Sequence, residues 1–493
     1  MNRALRRISI AILVMFVLLL ININYLQGFE PASLATKPNN ARAFEAQFQY
    51  QRGSIITSDG VTIAESRPST DIYKYQRYYP YGPEYAPVTG YDTLYSQSGI
   101  EYYENSVLNG SDSSLTVRNL IDLLTGKQRK GADVTVTINS QAQNAAWTAL
   151  ESTTGGKPGA VVALDPQTGA ILAMASYPSY NPNLLATHNG NKLDAVDKAL
   201  LLQPGNPLLN RAINFTWPPG STFKIVTSSA YLTQTAGSST QSNVYSPTQL
   251  KLPNGNLLSN NDGEKCAAGT GQTTLITAFT ESCDTTFANL GVQLGSTVLK
   301  NSADLFGMND PDLTIPMPVS QSNYPPLSDR SYTALSAIGQ KDDTVTPLQE
   351  AMFSAAIANG GKLMRPYLVK QVTASDLSTV QTTSPTLLSQ AVSPSVASEV
   401  GQMMLSVVQN PDGTAYAFNT SALNGITMAG KTGTAQNGVN NSGASDSVFT
   451  CYAPYDNPQI AVGVIVQGGG YGATVAAPIA VQVIKAYLAT LGK

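Results

Sequence analysis

The chain has 493 residues, of which 42% are hydrophobic and only 12% charged, and its formal charge is -3. That length exceeds one ordinary core and asks for two or more domains. A near-neutral chain with no basic block beyond its first residues argues against a nucleic-acid partner, and one histidine with three unclustered cysteines leaves no ligand set for a metal and calls for no cofactor.

Arg3, Arg6 and Arg7 precede an uncharged stretch, residues 8–29, long enough for the roughly 20 residues that a bilayer span takes. No basic residue follows until Lys37. The positive-inside rule then sets residues 1–7 in the cytoplasm as a tail, 8–29 across the membrane as a single-pass anchor, and everything later outside the cell membrane. A cleaved signal peptide would have a shorter apolar core and a prompt small-x-small site, and Ala41-Arg42-Ala43 is a poor one. In an extracytoplasmic chain a Cys266–Cys283 disulfide is permitted. Three small buried apolar thiols are the simpler reading.

Residues 30 to about 45 read as a polar linker into a β-rich pedestal over 30–154. Asp59-Gly60 between short apolar runs signals a hairpin. A Tyr-rich stretch follows from Tyr73 to Tyr103, with turns at Pro80-Tyr81-Gly82 and Val88-Thr89-Gly90. Residues 133–138 alternate like a strand, and 139–150 read as a helix capped by Asn139 or Ser140. After a Gly-rich joint, two strands at 160–164 and 170–175 flank the turn Asp165-Pro166-Gln167-Thr168-Gly169 and open a second domain, 155–493. His188 lies in the turn-like Ala186-Thr187-His188-Asn189-Gly190 and is read as an exposed loop residue rather than the base of a Ser-His-Asp triad. Helices fill the middle, among them 348–358; strands return at 448–452 and 460–466, and a helix over about 477–491 ends the chain. Strands at both ends with helices between them predict an α+β fold built on an antiparallel sheet.

The chemistry concentrates in three places. Trp217-Pro218-Pro219-Gly220-Ser221-Thr222-Phe223-Lys224 sets a serine at the start of a helical run, with a lysine one turn later on the same face. A serine is a weak nucleophile until a base takes its proton. A lysine becomes that base when burial or a nearby cation lowers its pKa. Ser282-Cys283-Asp284 follows a helical stretch over 274–280, and Lys431-Thr432-Gly433-Thr434 follows Ile426-Thr427-Met428-Ala429-Gly430. Gly433 lets a peptide lie along a strand edge. The Thr434 and Ser221 N–H groups would make an oxyanion hole, Thr432 and Thr434 hydroxyls would take a carboxylate, and Lys431 would add positive charge and depress Lys224. Each motif alone is weak; the three in this order resemble the Ser-x-x-Lys, Ser-Asp-Asn and Lys-Thr-Gly set of penicillin-binding proteins and class A β-lactamases.

On these residues the chain resembles a class B penicillin-binding protein, a peptidoglycan D,D-transpeptidase. Arg52-Gly53-Ser54-Ile55, Arg77-Tyr78-Tyr79-Pro80, Gly99-Ile100-Glu101 and Leu108-Asn109-Gly110 resemble the family's N-terminal boxes. Asn210-Arg211-Ala212, Ile338-Gly339-Gln340, Thr346-Pro347-Leu348-Gln349 and Ala358-Asn359-Gly360-Gly361 are similar to segments of its catalytic domain. The resemblance implies a serine β-lactamase/transpeptidase-like catalytic domain behind a dimerisation-type pedestal. It implies acylation of Ser221 by the D-Ala-D-Ala end of a stem peptide, Lys224 as base, Ser282 as proton relay, 431–434 as the substrate-binding strand, and β-lactam antibiotics as substrate mimics. It also implies a polytopic SEDS-type glycosyltransferase as a possible partner of the pedestal, where Arg52 and Glu101 alternatively form no more than a buried structural pair.

Two departures stand out. The second motif ends in Asp284 instead of Asn, and an ionised Asp284 beside Lys224 would raise the lysine's pKa; protonation of Asp284, or pairing mainly with Lys431, would avoid this. Cys451 stands where the family often has glycine and is read as structural. The rivals are a D,D-carboxypeptidase, which would lack the N-terminal boxes, a β-lactamase, which would be about half as long, a β-lactam sensor, which would carry several membrane spans and a protease domain, and a non-catalytic scaffold of a wall-synthesis complex in which Asp284 marks lost activity. No glutamate is evident in the sequence for activating a deacylating water.

Overall fold

A computed structural model describes residues 2–28, 48–115, 124–125, 128, 130–263, 265–436 and 443–492. The expected linker at 30–45 lies outside the described residues. Asn2–Gly28 is a single helix. Its span Arg6–Tyr25 has a mean hydropathy of 2.4 and buries none of its apolar surface against the protein, the state expected of a helix whose solvent is lipid.

The pedestal is organised by a six-stranded sheet. Ile55–Ile56 and Thr62–Pro68 form the hairpin around Asp59-Gly60. Gly60 has φ +90°, a conformation costly for a residue with a Cβ. Ile55–Ile56 also pairs in parallel with Asp133–Val136. The sheet then continues through Val369–Thr373 and Thr379–Thr382, which arrive from more than 200 residues later along the chain. The Tyr-rich stretch contains the turns at residues 80–82 and 88–90, but these are joined into short helices, Gly82–Glu84, Ala86–Thr89 and Gly99–Tyr103.

Gly99–Tyr103 carries Glu101 into the pedestal core. Its carboxylate accepts from Arg52 Nε at 2.6 Å and from Arg77 Nε at 2.6 Å, with all three side chains buried. Arg77 also donates to the carbonyl of Gly53 at 2.7 Å. Burial pushes the Glu101 carboxyl up, but the charges of Arg77 and Arg52 outweigh it and hold the group below its usual range. The expected Arg52–Glu101 pair is thus a triad that staples three separate segments. Glu101→Ala removes the carboxylate shared by two buried guanidinium groups, leaving Arg52 only the more distant Asp92 at 3.7 Å, and should cost about 3–5 kcal/mol. A fall in thermal midpoint reads this out, and an unchanged midpoint would show that the triad is dispensable.

The second sheet has five antiparallel strands in the order Ala429–Ala435, Asp446–Ala453, Ile460–Val466, Gly159–Leu164, Ile171–Tyr177. The central strands are buried along their whole length, so helices must cover both faces. Ser140–Thr153, capped by the Asn139 side chain, packs with Ala476–Thr490 on the sheet. Pro347–Ala358 packs on it as well. Gly463 admits this helix, since a Cβ there would lie 2.4 Å from the Ala351 nitrogen. Cys451 is fully buried within its strand opposite Gly430, a structural position. The architecture is α+β, and Ala429–Ala435 is left as a sheet edge beside the motif residues.

Two readings are corrected. His188 is not an exposed loop residue: its side chain is 8% exposed, lies between the rings of Phe48 and Tyr73, and bonds Asp71 through Nδ1 at 2.6 Å. Cys266 and Cys283 are not separate thiols but a disulfide with Cα atoms 5.8 Å apart, which ties the short helix Cys266–Gly269 to the turn carrying Ser282.

Candidate active site

Pro218 and Pro219 prevent the chain from entering a helix directly. Trp217 is pinned by reciprocal backbone bonds to Val345 at 2.8 and 2.9 Å. Gly220, at φ +57°, then turns the chain, and its N–H donates to the Gly339 carbonyl at 3.0 Å. Ser221 therefore sits in a 3-10 turn, Gly220–Phe223, and the α-helix proper begins at Lys224 and runs to Gln234. The expectation that Ser221 itself opens the α-helix is off by this turn: the two prolines and the Gly220–Gly339 contact hold a tighter geometry first. Gly339 is required there, because a Cβ on it would fall 2.2 Å from the Gly220 carbonyl oxygen, and its φ is +70°.

The tight turn keeps Lys224 on the serine's side, with Nζ 2.9 Å from Ser221 Oγ. Nζ also lies 2.8 Å from the Ser282 carbonyl, 3.1 Å from Ser282 Oγ and 2.6 Å from Asp284 Oδ1. Lys431 Nζ reaches the same hydroxyl from the other side, donating to Ser282 Oγ at 2.8 Å and to the Thr432 carbonyl at 3.2 Å. Ser282 adopts φ +61°, an uncommon conformation for a residue with a Cβ. It aims its hydroxyl between the two amines. Asp284 begins the helix Asp284–Leu294, where the positive end of the macrodipole favours a carboxylate.

Both lysine side chains are completely buried, beside the rings of Phe287 and Phe279 at 5.5 and 5.6 Å. Burial lowers the Lys224 pKa, and the charge and hydrogen bond of Asp284 restore part of it. Burial followed by the Lys224 charge holds Lys431 well below its usual value. Lys431, which has no carboxylate in bonding contact among the described residues, is the more strongly lowered of the two amines. Asp284 pairs with Lys224 at 2.6 Å and not mainly with Lys431, so the upward pull on Lys224 that the sequence pointed to is present and burial opposes it.

A neutral amine has two protons and one lone pair. In its neutral form the Lys224 amine could give its two protons to the Ser282 carbonyl and Asp284 and keep the lone pair for the Ser221 hydroxyl, the arrangement a general base needs.

The edge strand Ala429–Ala435 closes over the Ser221 turn. A Cβ on Gly433 would lie 2.8 Å from the Pro219 carbonyl oxygen, and one on Gly220 would lie 3.1 Å from the Thr434 carbonyl. Thr432 exchanges a 2.6 Å hydrogen bond with Thr414, while Thr434 is only half-buried. Gln340 donates to the Thr434 carbonyl at 3.0 Å and accepts from the Gln436 N–H at 3.2 Å, clamping the strand. All motif residues singled out in the sequence, Ser221, Lys224, Ser282, Asp284, Lys431, Thr432, Gly433 and Thr434, meet in this one place. Gly339 and Gln340 were visible as a familiar segment without a role. Thr414 and Glu350, which contacts Thr222, carried no local signal.

Comparison with known proteins identifies the family. Residues 159–485 match the penicillin binding protein transpeptidase domain family, and residues 52–134 the penicillin binding protein A dimerisation domain family. The chain is 41% identical over 498 residues to the peptidoglycan D,D-transpeptidase PbpA of Mycolicibacterium smegmatis, covering 99% of both chains. It is 38% identical over 496 residues to PbpA of Mycobacterium tuberculosis, again covering 99% of both. Among solved structures, the imipenem acyl-enzyme complex of penicillin-binding protein A from M. tuberculosis superposes with a TM-score of 0.84 at 38% identity, covering 90% of this chain and 100% of that one. A D,D-transpeptidase domain from Eggerthella lenta superposes with a TM-score of 0.76 at 34% identity, covering 90% and 99%.

Proposed function

The chain belongs to the class B penicillin-binding protein transpeptidases, and from that membership we propose that Ser221 is its acylated nucleophile and Lys224 the base that activates it. The protein is a peptidoglycan D,D-transpeptidase that is acylated by β-lactams. The observation that carries the residue assignment is the 2.9 Å contact between Ser221 Oγ and a buried Lys224 amine.

In this reading Ser221 Oγ attacks the carbonyl of the penultimate D-alanine while Lys224 takes its proton. The new C–O bond forms a tetrahedral oxyanion that the Ser221 and Thr434 N–H groups receive; one such donor is typically worth about 3–4 kcal/mol. The C–N bond to the terminal D-alanine then breaks, and Ser282, bridging the two lysines, passes a proton to the departing amine. An amine from a neighbouring stem peptide repeats the sequence in reverse and frees Ser221. The donor peptide lies along the Lys431–Thr434 edge, with the Thr434 hydroxyl, and Thr432 after exchange with Thr414, taking its carboxylate.

The unassigned architecture is read on the same basis. The arginines at residues 3, 6 and 7 favour a cytoplasmic N-terminus, an anchor over 8–29 and an extracytoplasmic body. The division at 30–154 and 155–493 is adjusted by the packing, since Ser140–Thr153 goes with the five-stranded sheet and 369–382 with the six-stranded one; the pedestal so bounded is assigned to assembly and the rest to chemistry, with a polytopic SEDS-type glycosyltransferase as the pedestal's partner.

Mass spectrometry of the full-length protein in detergent after benzylpenicillin treatment is expected to give one covalent adduct, mapped to Ser221 and absent in Ser221→Ala. No adduct at high drug concentration, or an adduct elsewhere, would replace the enzyme by the scaffold reading.

A further inference from the structure

We infer that Glu350 is a positioning residue for acylation: as a neutral carboxylic acid it donates its proton to Thr222 and so fixes the turn that presents Ser221. The inference rests on the reading of Ser221 as the acylated residue.

Glu350 lies in the helix Pro347–Ala358 and is completely buried. Thr222 Oγ1 sits 2.8 Å from Glu350 Oε1 and also 2.8 Å from the Pro219 carbonyl oxygen. A hydroxyl has one proton, and a carbonyl oxygen can only accept. When Thr222 donates to Pro219, the contact with Glu350 needs its proton on the carboxyl group. An ionised carboxylate would instead sit buried without a cation, the state that proteins avoid by protonation. Burial, opposed only by the Thr222 hydrogen bond, pushes the Glu350 pKa up to about 8, so the acid is neutral at pH 7. Glu350 Oε2 has no partner among the described residues, which again suits an acid more than a carboxylate.

The position of this acid gives it leverage on the chemistry. Thr222 directly follows the nucleophile, and Pro219 opens its turn. The same Pro219 carbonyl faces Gly433 of the substrate-edge strand, where a Cβ would come within 2.8 Å of it and within 3.2 Å of Thr222 Cγ2. The Glu350 backbone carbonyl accepts the Thr450 hydroxyl of the neighbouring strand. Glu350 thus links the sheet, the helix behind it and the Ser221 turn. Loss of its proton donation frees Thr222 and lets the serine drift relative to Thr434.

The test measures the second-order rate of acylation by a fluorescent penicillin, using full-length protein in detergent. Gln is neutral and can donate to Thr222, whereas Met fills the space without donating. Glu350→Gln is expected to stay within about threefold of wild type, while Glu350→Met and Thr222→Val fall about 10- to 100-fold, the scale of a nucleophile misplaced by an ångström or less. Equal rates for Glu350→Met and Glu350→Gln would reduce Glu350 to packing and overturn the proposal. If Glu350→Met does not fold, Thr222→Val decides the same point, and a wild-type rate for it overturns the proposal. Infrared difference spectra of Glu350→Gln against wild type test the protonation without any acylation: the variant should lose a protonated-carboxyl band, and no lost band overturns the proposal. Mapping the wild-type adduct separates failure of the Ser221 reading, which moves the adduct, from failure of this one, which leaves it at Ser221.

Discussion

Lys224→Ala is expected to slow acylation by benzylpenicillin about 10²- to 10⁴-fold at pH 7, the usual contribution of a positioned general base. The size follows from geometry. No other amine bonds Ser221 among the described residues: Lys431 reaches Ser282 Oγ at 2.8 Å and stops there. Without Lys224 the serine must lose its proton unaided or through water, beside the apolar rings of Phe279 and Phe287 that back the two lysines. Alanine, however, also strips Asp284 of its partner, so part of its effect is electrostatic. Lys224→Arg separates the two contributions. Arginine keeps a cation next to Asp284 but cannot give up its proton. As a base mutant it should be as slow as alanine; as a purely electrostatic substitute it should recover most of the rate. A near-wild-type rate for Lys224→Arg would move the base away from Lys224.

The parts legible in the sequence are those encoded locally. Ser221 and Lys224 are three residues apart, and either a 3-10 or an α turn puts them on one side, so their contact survived the misreading of the turn type. The Asp59-Gly60 hairpin and the Asn139 cap depend on neighbours within a few residues. What stayed hidden needed distant partners. Val369–Thr373 completes the pedestal sheet against Asp133–Val136, and nothing in either segment names the other. Arg77 was noted in a box, but its share of Glu101 depends on three segments folding together. His188 has a polar, turn-like surrounding in sequence, yet Phe48 and Tyr73 cover it from far upstream. Glu350 follows a familiar Thr346-Pro347-Leu348-Gln349 run and looks like an ordinary first-turn acid; the sheet at Gly463 and Thr450 and the Ser221 turn together remove it from water. Asp284 was visible as a departure, but its partner was not, because two lysines more than 200 residues apart in sequence compete for it.

With Lys224 as the proposed base, that competition should set the acid limb of acylation, and Asp284→Asn tests it. Burial lowers the Lys224 pKa, and the Asp284 charge and hydrogen bond raise it again. Removing the charge leaves burial unopposed, so the Lys224 pKa falls further. The neutral amine, which is the form that can accept the Ser221 proton, then persists to lower pH. The acid limb of the acylation profile should therefore move down, by roughly one to three units for the loss of an adjacent opposite charge. On that limb the variant is faster than wild type by about tenfold per unit. Asp284 also supports the charge on Lys431, against burial and the Lys224 charge. In the variant Lys431 gives up its proton at lower pH as well. The acid limb shifts to lower pH, with a reduced plateau because a less basic lysine is a weaker proton acceptor. Acylation rates measured across that limb test this. A uniform drop with the limb unmoved would mean that Asp284 only orients Lys224. A shift to higher pH would reverse the sign of the pairing and exclude Asp284 as the group that keeps Lys224 basic.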